Sequence, residues 1–331
     1  MSLPTHMDAF WGVIRQGQIE VERRATPVPT PGPGQVLVKV RAAGLNRGEF
    51  LLGHSLNQEG QAKPAGMEAA GEVLACGPGV TRVAPGDAVM GRCGGAFAPF
   101  ALMDAREAMR KPEALSWTQA AAVPLTGLVV HDMLVLQGQL QAGQWLLVNG
   151  VASGVGVTAL WMAKALGARV IGTSGSQAKL EVLRARGLDL GLCTRAPDFR
   201  AAVLDATGGK GVSLVVNTVG GSVFDEALHC LAFEGRLAVV GYVDGQLQAP
   251  LDLDWVHARR ITLFGVSNKL RNADMKAAGV PAFEAQILPM LADGRVVPWV
   301  DATLPLAELA RAKAMMEAGE HLGKIVLTMD D

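Results

Sequence analysis

The sequence is poor in cysteine and in aromatic residues. It contains 4 cysteines in 331 residues, and no two of them form a C-x-x-C pair; they are Cys76, Cys93, Cys193 and Cys230. This wide separation excludes a clustered zinc site and a dense disulfide framework, and it favours a reducing, cytoplasmic location. Tyrosine occurs once, at Tyr242, so a tyrosine acid has a single candidate position.

The chain also lacks an excess of charge and a long hydrophobic run. Its formal net charge is -1 and its basic residues are scattered, which removes the electrostatic case for binding nucleic acid or an anionic membrane. Residues 120–136 are strongly apolar, but Pro124 and Gly127 interrupt them well short of a membrane-spanning length. The first residues have no cationic flank followed by a hydrophobic stretch, so no signal peptide is expected.

The most informative segment present is a small-residue turn between an apolar strand at 145–148 and a helical pattern at 155–166. Glycines let the backbone approach a pyrophosphate, and the N-terminus of the helix stabilises its charge. The segment therefore predicts a dinucleotide site. The residues expected to bind the phosphates are Ala152, Ser153, Gly154, Val155 and Gly156.

The turn fits the dinucleotide fingerprint in two registers. A literal G-x-G-x-x-A occurs at Gly154, Gly156 and Ala159, whereas counting from the end of the strand selects Val151, Ser153 and Gly156. Either register alone is weak evidence for a dinucleotide site, because a glycine-rich turn between a strand and a helix is often only a tight connection. The context supports the site, since further strands and helices alternate with the spacing of βαβ units; the strands are expected at 169–173, 190–193, 212–216 and 236–240, and the helices at 177–186, 198–207 and 224–231. This alternation predicts a parallel sheet with helices on both faces.

The rest of the chain has a different pattern. Short alternating runs at 35–40, 71–75 and 88–90 are separated by Pro-Gly turns, which predicts a β-rich, barrel-like domain. Helical patterns at 282–292 and 306–318 and a strand at 324–329 are too short for a core of their own and should pack on that domain. We therefore expect an α/β protein with two domains, one at 1–122 with 268–331 and one at 123–267.

The order of several motifs resembles the zinc-free, quinone-oxidoreductase-like branch of the medium-chain dehydrogenase/reductase superfamily. The matching blocks are AGLN at 43–46, GMEAAGEV at 66–73, PGD at 85–87, AAAVPLTG at 120–127, the turn at 149–156, AKALGA at 163–168, VGG at 219–221 and GKIVL at 323–327. The resemblance implies a GroES-like catalytic domain, a Rossmann domain with a doubly wound parallel sheet, and a site for a nicotinamide cofactor and substrate. It also implies a homodimer joined through edge strands, here around residues 261–266.

Zinc is not expected in this chain. The resemblance places Asn46 where zinc-dependent relatives carry cysteine and Met67 where they carry histidine, although Glu68 remains. Catalytic zinc needs about three protein ligands. His54 and His131 are isolated, and lone histidines are more often ordinary polar residues than ligands. We predict no metal.

The segment after the second Rossmann strand favours NADPH over NADH. It offers Ser174, Ser176 and Lys179 but no acidic residue for the ribose hydroxyls. In the family, a lysine and a tyrosine commonly hold the 2′-phosphate; the tyrosine position here corresponds to Thr194, with Arg195 beside it. Lys179 is alternatively an ordinary solvated residue of the helix.

The resemblance implies hydride transfer from NADPH to a quinone or an α,β-unsaturated carbonyl compound. Asn46 and Thr126 are expected to orient the nicotinamide ribose or the substrate. An equally good interpretation of Asn46 is a loop residue whose side chain forms hydrogen bonds with backbone groups. The nicotinamide half of the site is expected to be lined by Thr218, Val240, Gly241 and Asn268. Glu49 either orders the site or is a solvated surface carboxylate, and solvent is the expected source of the proton.

Three other functions stay open. The first is an enoyl-thioester reductase, although the family's acidic tyrosine is missing. The second is a non-catalytic NADPH-binding protein that keeps the fold. The third is a zinc-dependent alcohol dehydrogenase, which Asn46 and Met67 disfavour.

Overall fold

The computed structural model describes residues 3–52, 56 and 58–329. The chain forms two compact units, unit 1 with Met1–Leu128 and Lys269–Asp331 and unit 2 with Val129–Asn268. The strands, numbered in chain order, are β1 His6–Arg15, β2 Gln18–Pro27, β3 Gln35–Gly44, β4 Ala62–Pro64, β5 Glu68–Cys76, β6 Ala88–Gly94, β7 Phe100–Asp104, β8 Met109–Arg110, β9 Trp145–Asn149, β10 Arg169–Ser174, β11 Leu190–Cys193, β12 Val212–Asn217, β13 Leu231–Val239, β14 Thr262–Gly265, β15 Val300–Pro305 and β16 Lys324–Thr328.

The helices are short, between 5 and 12 residues long. They are α1 Trp117–Ala121, α2 Pro124–His131, α3 Gly154–Ala165, α4 Gln177–Arg184, α5 Arg200–Ala206, α6 Phe224–His229, α7 Leu253–Arg259, α8 Ala273–Ala277, α9 Val280–Gln286, α10 Leu288–Ala292 and α11 Leu309–Ala318. Single 3₁₀ turns occur at Arg47–Phe50, Gly221–Val223 and Leu306–Glu308, and α2 continues as a π-helical turn over Asp132–Leu136.

Unit 1 is built around a closed arrangement of four strands. β3 pairs with β5 on one side and with β7 on the other, and β6 joins β5 to β7. Its interior is filled by valine and methionine side chains, including Val36, Val38 and Met103. β16 pairs with β3, and β15 with β16, so the last part of the chain extends this sheet. The expected barrel-like, β-rich fold is confirmed.

Unit 2 has a single parallel sheet with the strand order β11-β10-β9-β12-β13-β14. Leu147, Ile171 and Val215 lie on neighbouring strands and are fully buried, because helices cover the sheet. If β9 is counted as the first strand, the order is 3-2-1-4-5-6, which is the arrangement of a dinucleotide-binding sheet. In such sheets the ligand binds at the carboxyl ends of the strands, at the point where the connections diverge. Here that point lies between β9 and β12. The Rossmann prediction is confirmed.

Two helix predictions are wrong in detail. The helix expected over 282–292 is two helices, α9 and α10, because Pro289 has no N–H to continue the ladder of α9. The helix expected over 224–231 ends at His229, since Leu231 pairs with Val212 as the first residue of β13. Within the described residues, no helix is both long and apolar enough to cross a membrane.

Candidate active site

The turn between β9 and α3 is shaped by Ser153 and two glycines. Ser153 caps α3: its Oγ accepts a hydrogen bond from the N–H of Gly156 at 3.0 Å and donates to the carbonyl oxygen of Gly150 at 2.9 Å. A Cβ at Gly156 would lie 2.4 Å from that same carbonyl oxygen, and a Cβ at Gly150 would lie 2.5 Å from Oγ1 of Thr218. Gly150 also has a φ of 76°, so both positions require glycine.

This geometry favours the second register of the fingerprint. The strand ends at Asn149 and the helix begins at Gly154. Gly156 packs directly against the backbone of Val151, which is the role of the third fingerprint glycine. The first N–H groups of a helix have no intrahelical acceptor, so the amides of Gly154 and Val155 are available for a pyrophosphate. The N–H of Ser153 donates to the carbonyl oxygen of Gly150 at 3.1 Å.

The loop after β10 carries the residues expected at the adenosine ribose. Ser174 Oγ accepts from the N–H of Ser176 at 3.2 Å, and Ser176 Oγ caps α4 by accepting from the N–H of Lys179 at 3.4 Å. Arg195 lies over Gly175, because a Cβ at Gly175 would be 2.1 Å from Nε of Arg195. The structure thus places the exposed guanidinium of Arg195 against a loop of small residues. A guanidinium group beside hydroxyl groups is a common way to bind a phosphate.

Three of the residues expected at the nicotinamide half, Thr218, Val240 and Gly241, lie at the ends of β12 and β13. Thr218 donates from Oγ1 to the carbonyl oxygen of Asn149 at 2.7 Å. The N–H of Val240 donates to the carbonyl oxygen of Asn217 at 3.0 Å, and a Cβ at Gly241 would lie 3.2 Å from the carbonyl oxygen of Thr218. Asn268 follows β14, the next strand of the same sheet.

Unit 1 contains a buried polar cluster centred on Asn46. Asn46 Nδ2 donates to Glu68 Oε1 at 2.9 Å, to Glu49 Oε1 at 3.3 Å and to the carbonyl oxygen of Gly44 at 3.4 Å. Lys324 Nζ donates to Asn46 Oδ1 at 2.7 Å and to Glu68 Oε1 at 2.6 Å. Asn46 is therefore neither solvated nor a simple loop residue: it joins two carboxylates to an ammonium group.

Thr126 lies beside this cluster rather than in it. Its hydroxyl donates to the carbonyl oxygen of Ala122 at 3.2 Å, within its own helical segment. The preceding residue, Leu125, donates its N–H to Glu68 Oε2 at 2.7 Å. The hydrogen bond from Leu125 therefore fixes the start of α2 against Glu68 and holds Thr126 next to it.

Glu49 is buried, so it is not a solvated surface carboxylate. The pKa of Glu49 is raised to about 7; burial is the largest cause, and the nearby Glu68 carboxylate also raises it. Hydrogen bonds from Asn46 and from the N–H of Gly66, together with the charge of Lys324, act in the opposite direction. The net effect brings this carboxyl group close to half protonation at neutral pH.

The residues present do not fit a catalytic zinc ion. Asn46 Oδ1 and Glu68 Oε1 already bind the ammonium of Lys324, and Met67 supplies no imidazole. No group of three or more His, Cys, Asp and Glu side chains suited to a metal occurs within residues 3–52, 56 and 58–329. His131 is buried, and His54 lies outside the described residues.

Three residues that matter here carried little signal in the sequence. Gly175 stands in a segment of small residues with no motif of its own, and only the structure places Arg195 against it. Glu68 and Lys324 are 256 positions apart in the chain, so no local pattern pairs them. A lysine opening the apolar strand KIVLT was the one available clue.

Both units match known families of proteins. A family model described as "Alcohol dehydrogenase GroES-like domain" matches residues 32–113, and a model described as "Zinc-binding dehydrogenase" matches residues 154–280. Among curated proteins, the pikromycin polyketide synthase component PikAII of Streptomyces venezuelae is 34% identical over 312 residues, covering 92% of this chain and 8% of that protein. The chain spans 8% to 14% of the length of such curated relatives.

Solved structures match over nearly the full length of both chains. An alcohol dehydrogenase superfamily protein from Novosphingobium aromaticivorans is 31% identical, with a TM-score of 0.83 and coverage of 98% of this chain and 100% of that one. The mycobacterial protein Rv1454c, solved in complex with NADPH, is 28% identical, with a TM-score of 0.84 and coverage of 97% and 99%.

Proposed function

We propose that this chain, which belongs to the medium-chain dehydrogenase/reductase superfamily, uses NADPH to reduce a quinone or an α,β-unsaturated carbonyl compound without a metal ion. The observation that carries this proposal is the cofactor cradle of unit 2, where two obligatory glycines shape the turn at β9 and Arg195 covers Gly175 after β10. The NADPH complex of the related mycobacterial protein supports the same cofactor.

The residues of unit 2 fit the two phosphate-bearing parts of NADPH, the pyrophosphate and the 2′-phosphate of the adenosine ribose. The amides at the start of α3 would bind the pyrophosphate. Ser174, Ser176, Lys179 and Arg195 would bind the 2′-phosphate, with Arg195 as the main contact because its guanidinium already lies on the loop. Thr218, Val240, Gly241 and Asn268 would line the nicotinamide half.

When bound, NADPH supplies a hydride to the electron-poor carbon of the acceptor. The protein positions the reactants and excludes competing reactions. We assign Asn46 an orienting role, because its amide is held by Glu68 and Lys324 and cannot rotate freely. Thr126 is fixed beside it by the hydrogen bond from Leu125 to Glu68.

An acyl-thioester is the second candidate acceptor. The segment of PikAII that resembles this chain is part of a polyketide synthase, which favours an enoyl-thioester reductase. The only tyrosine, Tyr242, is exposed in unit 2, so the tyrosine acid of some relatives has no counterpart in the buried cluster of unit 1.

A direct assay separates these functions. The purified protein is mixed with NADPH and in turn with a quinone, an α,β-unsaturated ketone and an enoyl-coenzyme A, while the nicotinamide absorbance is followed. We expect NADPH oxidation with the first or second acceptor and no change after a chelator is added. Turnover confined to the thioester would establish the second candidate. Loss of activity in the chelator, or no rate with any acceptor, would contradict the proposal.

We also propose that two copies of this chain associate through β14. This strand is the edge of the parallel sheet and pairs only with β13 among the described strands. Leu263 on it is 36% exposed. An open edge with an exposed apolar side chain can pair with another strand.

A further inference from the structure

The loop that follows β13 is held at two points by the segment that follows β12. The N–H of Val240 donates to the carbonyl oxygen of Asn217 at 3.0 Å. Four residues further on, the N–H of Asp244 donates to the carbonyl oxygen of Val219, also at 3.0 Å. Residues 241–243 form an arch between these two hydrogen bonds, so the position of the arch depends on both.

The side chain of Asp244 reinforces the second of these attachments. Its Oδ2 accepts a hydrogen bond from the N–H of Ser222 at 2.8 Å, and its Oδ1 accepts one from the N–H of Gln246 at 2.8 Å. The N–H of Gly221 in turn donates to the carbonyl oxygen of Gln246 at 3.0 Å. One carboxyl group therefore joins the turn after β12 to the loop after β13.

The carboxyl group of Asp244 is ionised at neutral pH. Burial raises its pKa, but hydrogen bonds from Ser222 and from the N–H of Gln246 lower the pKa, and the net shift is downward. An ionised acceptor binds backbone N–H groups more strongly than a neutral one. Removing this side chain should therefore loosen the attachment of the loop.

The VGG block at 219–221 leaves room for Asp244. Gly220 has a φ of 129°, and a Cβ there would overlap with Oδ1 of Asp244. A Cβ at Gly221 would lie 2.6 Å from the carbonyl oxygen of Gln248. Both positions require glycine because the loop after β13 packs directly on their backbone.

The turn that Asp244 contacts is itself fixed to the end of β12 by Asn217. Asn217 Oδ1 accepts from the N–H groups of Val219 and Gly220, both at 3.0 Å, and its Nδ2 donates to the carbonyl oxygen of Gly220 at 2.9 Å. Asn217 is 1% exposed. Asp244 thus fastens the loop to a turn that has little freedom of its own.

The arch adjoins two of the residues assigned to the nicotinamide half, Val240 and Gly241. Both follow β13 at the carboxyl end of the sheet, the end at which such sheets bind a dinucleotide. A Cβ at Gly241 would lie 3.2 Å from the carbonyl oxygen of Thr218. The residues assigned to the 2′-phosphate lie instead at the ends of β10 and β11. A change at Asp244 should therefore act on one half of the cofactor only.

We propose that Asp244 is a positioning residue that holds Val240 and Gly241 in place for the nicotinamide ring. This inference rests on the proposed function. Asp244 acts through the arch at 241–243, and its role is to order this segment before the cofactor binds. Without the carboxylate, binding of the nicotinamide would have to order the arch, which weakens the affinity of that half alone.

The first test compares two ligands by calorimetry on the wild type, Asp244→Ala and Asp244→Asn. The ligands are NADPH and 2′-phosphoadenosine 5′-diphosphoribose, which is the cofactor without its nicotinamide. Asp244→Ala should bind NADPH at least about tenfold more weakly than the wild type, and the fragment within about twofold of it. Asp244→Asn keeps one acceptor oxygen and should show a smaller loss in the same direction.

Asp189→Ala is the matched control. Asp189 Oδ2 also accepts a backbone hydrogen bond in unit 2, from the N–H of Val170 at 2.7 Å. It lies at the amino end of the same sheet, just before β11. Asp189→Ala should therefore bind both ligands as the wild type does, even if its free energy of unfolding is lower.

The second test is the NADPH oxidation assay at saturating NADPH. Saturation restores occupancy but not orientation, so Asp244→Ala should have a kcat at least about tenfold below that of the wild type. Asp189→Ala should keep the wild-type kcat.

Each result decides between the two proposals. Wild-type affinities in Asp244→Ala, or an equal loss for NADPH and the fragment, would overturn the role of Asp244; if this variant does not fold, the same comparison on Asp244→Asn decides. A wild type that binds NADPH but reduces none of the acceptors would refute the proposed function alone, and the binding comparison would still test Asp244. A wild type that does not bind NADPH would refute both.

Discussion

Replacing Lys324 by methionine should destabilise unit 1 more than almost any other single substitution of a charged residue. The ammonium makes hydrogen bonds of 2.6 Å to Glu68, 2.7 Å to Asn46 and 3.1 Å to the carbonyl oxygen of Leu45. The side chains of Lys324 and Glu68 are 6% and 0% exposed, so solvent does not replace the lost partner. Breaking a buried ion pair in this way costs about 3 to 5 kcal/mol.

The free energy of unfolding, measured by urea titration at about pH 7.5 with circular dichroism, tests this value. The double variant Lys324→Met/Glu68→Gln should recover at least about half of the loss, because it leaves no uncompensated charge at that position. Arg311→Met removes an exposed pair with Glu308 and should cost less than about 1 kcal/mol. A loss for Lys324→Met as small as that of Arg311→Met would refute the reasoning.

The remaining predictions concern the cofactor turn, the pH dependence of stability and the association of two copies. Gly156→Ala places a Cβ 2.4 Å from the carbonyl oxygen of Gly150 and should weaken NADPH binding in calorimetry by at least about tenfold; Gly94→Ala, with open space around it, should bind normally. The pKa of Glu49 is raised in the folded state, so the free energy of unfolding falls as this group ionises. As pH rises from about 4.5 to above 7, the wild type should lose about 3 kcal/mol of that free energy relative to Glu49→Gln. Equal pH dependence of the two proteins in urea titrations would contradict this. Leu263→Lys at the edge strand should shift the mass measured by light scattering from dimer to monomer; a dimeric variant or a monomeric wild type would contradict the proposed interface.

The fold was predictable because its pattern is local. The strands of unit 2 are apolar runs of ordinary length, separated by amphipathic helices, and their alternation alone implies the parallel sheet. The hairpin of β1 and β2 was not predicted, because β2 reads QIEVERRATP and places charged residues on both faces. Its pairing with β1 depends on tertiary contacts that the period of the sequence does not show.

The candidate site was only partly predictable, because local patterns can be recognised in the sequence and tertiary contacts cannot. The phosphate turn is contiguous, so glycine chemistry and helix polarity identify it. The polar cluster of unit 1 is assembled from distant segments, and Glu68 and Lys324 meet only through the pairing of β16 with β3 and of β3 with β5. The burial of Glu49, and hence its raised pKa, follows from that assembly and not from the residues next to it.

The measurement closest to the central claim is a calorimetric comparison of NADPH and NADH on the wild type and on Arg195→Ala. The wild type should bind NADPH more tightly than NADH by at least about tenfold, or about 1.4 kcal/mol. The reason is that Arg195, which follows β11, lies against the loop after β10 that would receive the 2′-phosphate. Arg195→Ala should lose most of this preference while its affinity for NADH stays the same. Equal affinities for the two cofactors in the wild type, or a preference that survives in Arg195→Ala, would contradict the account.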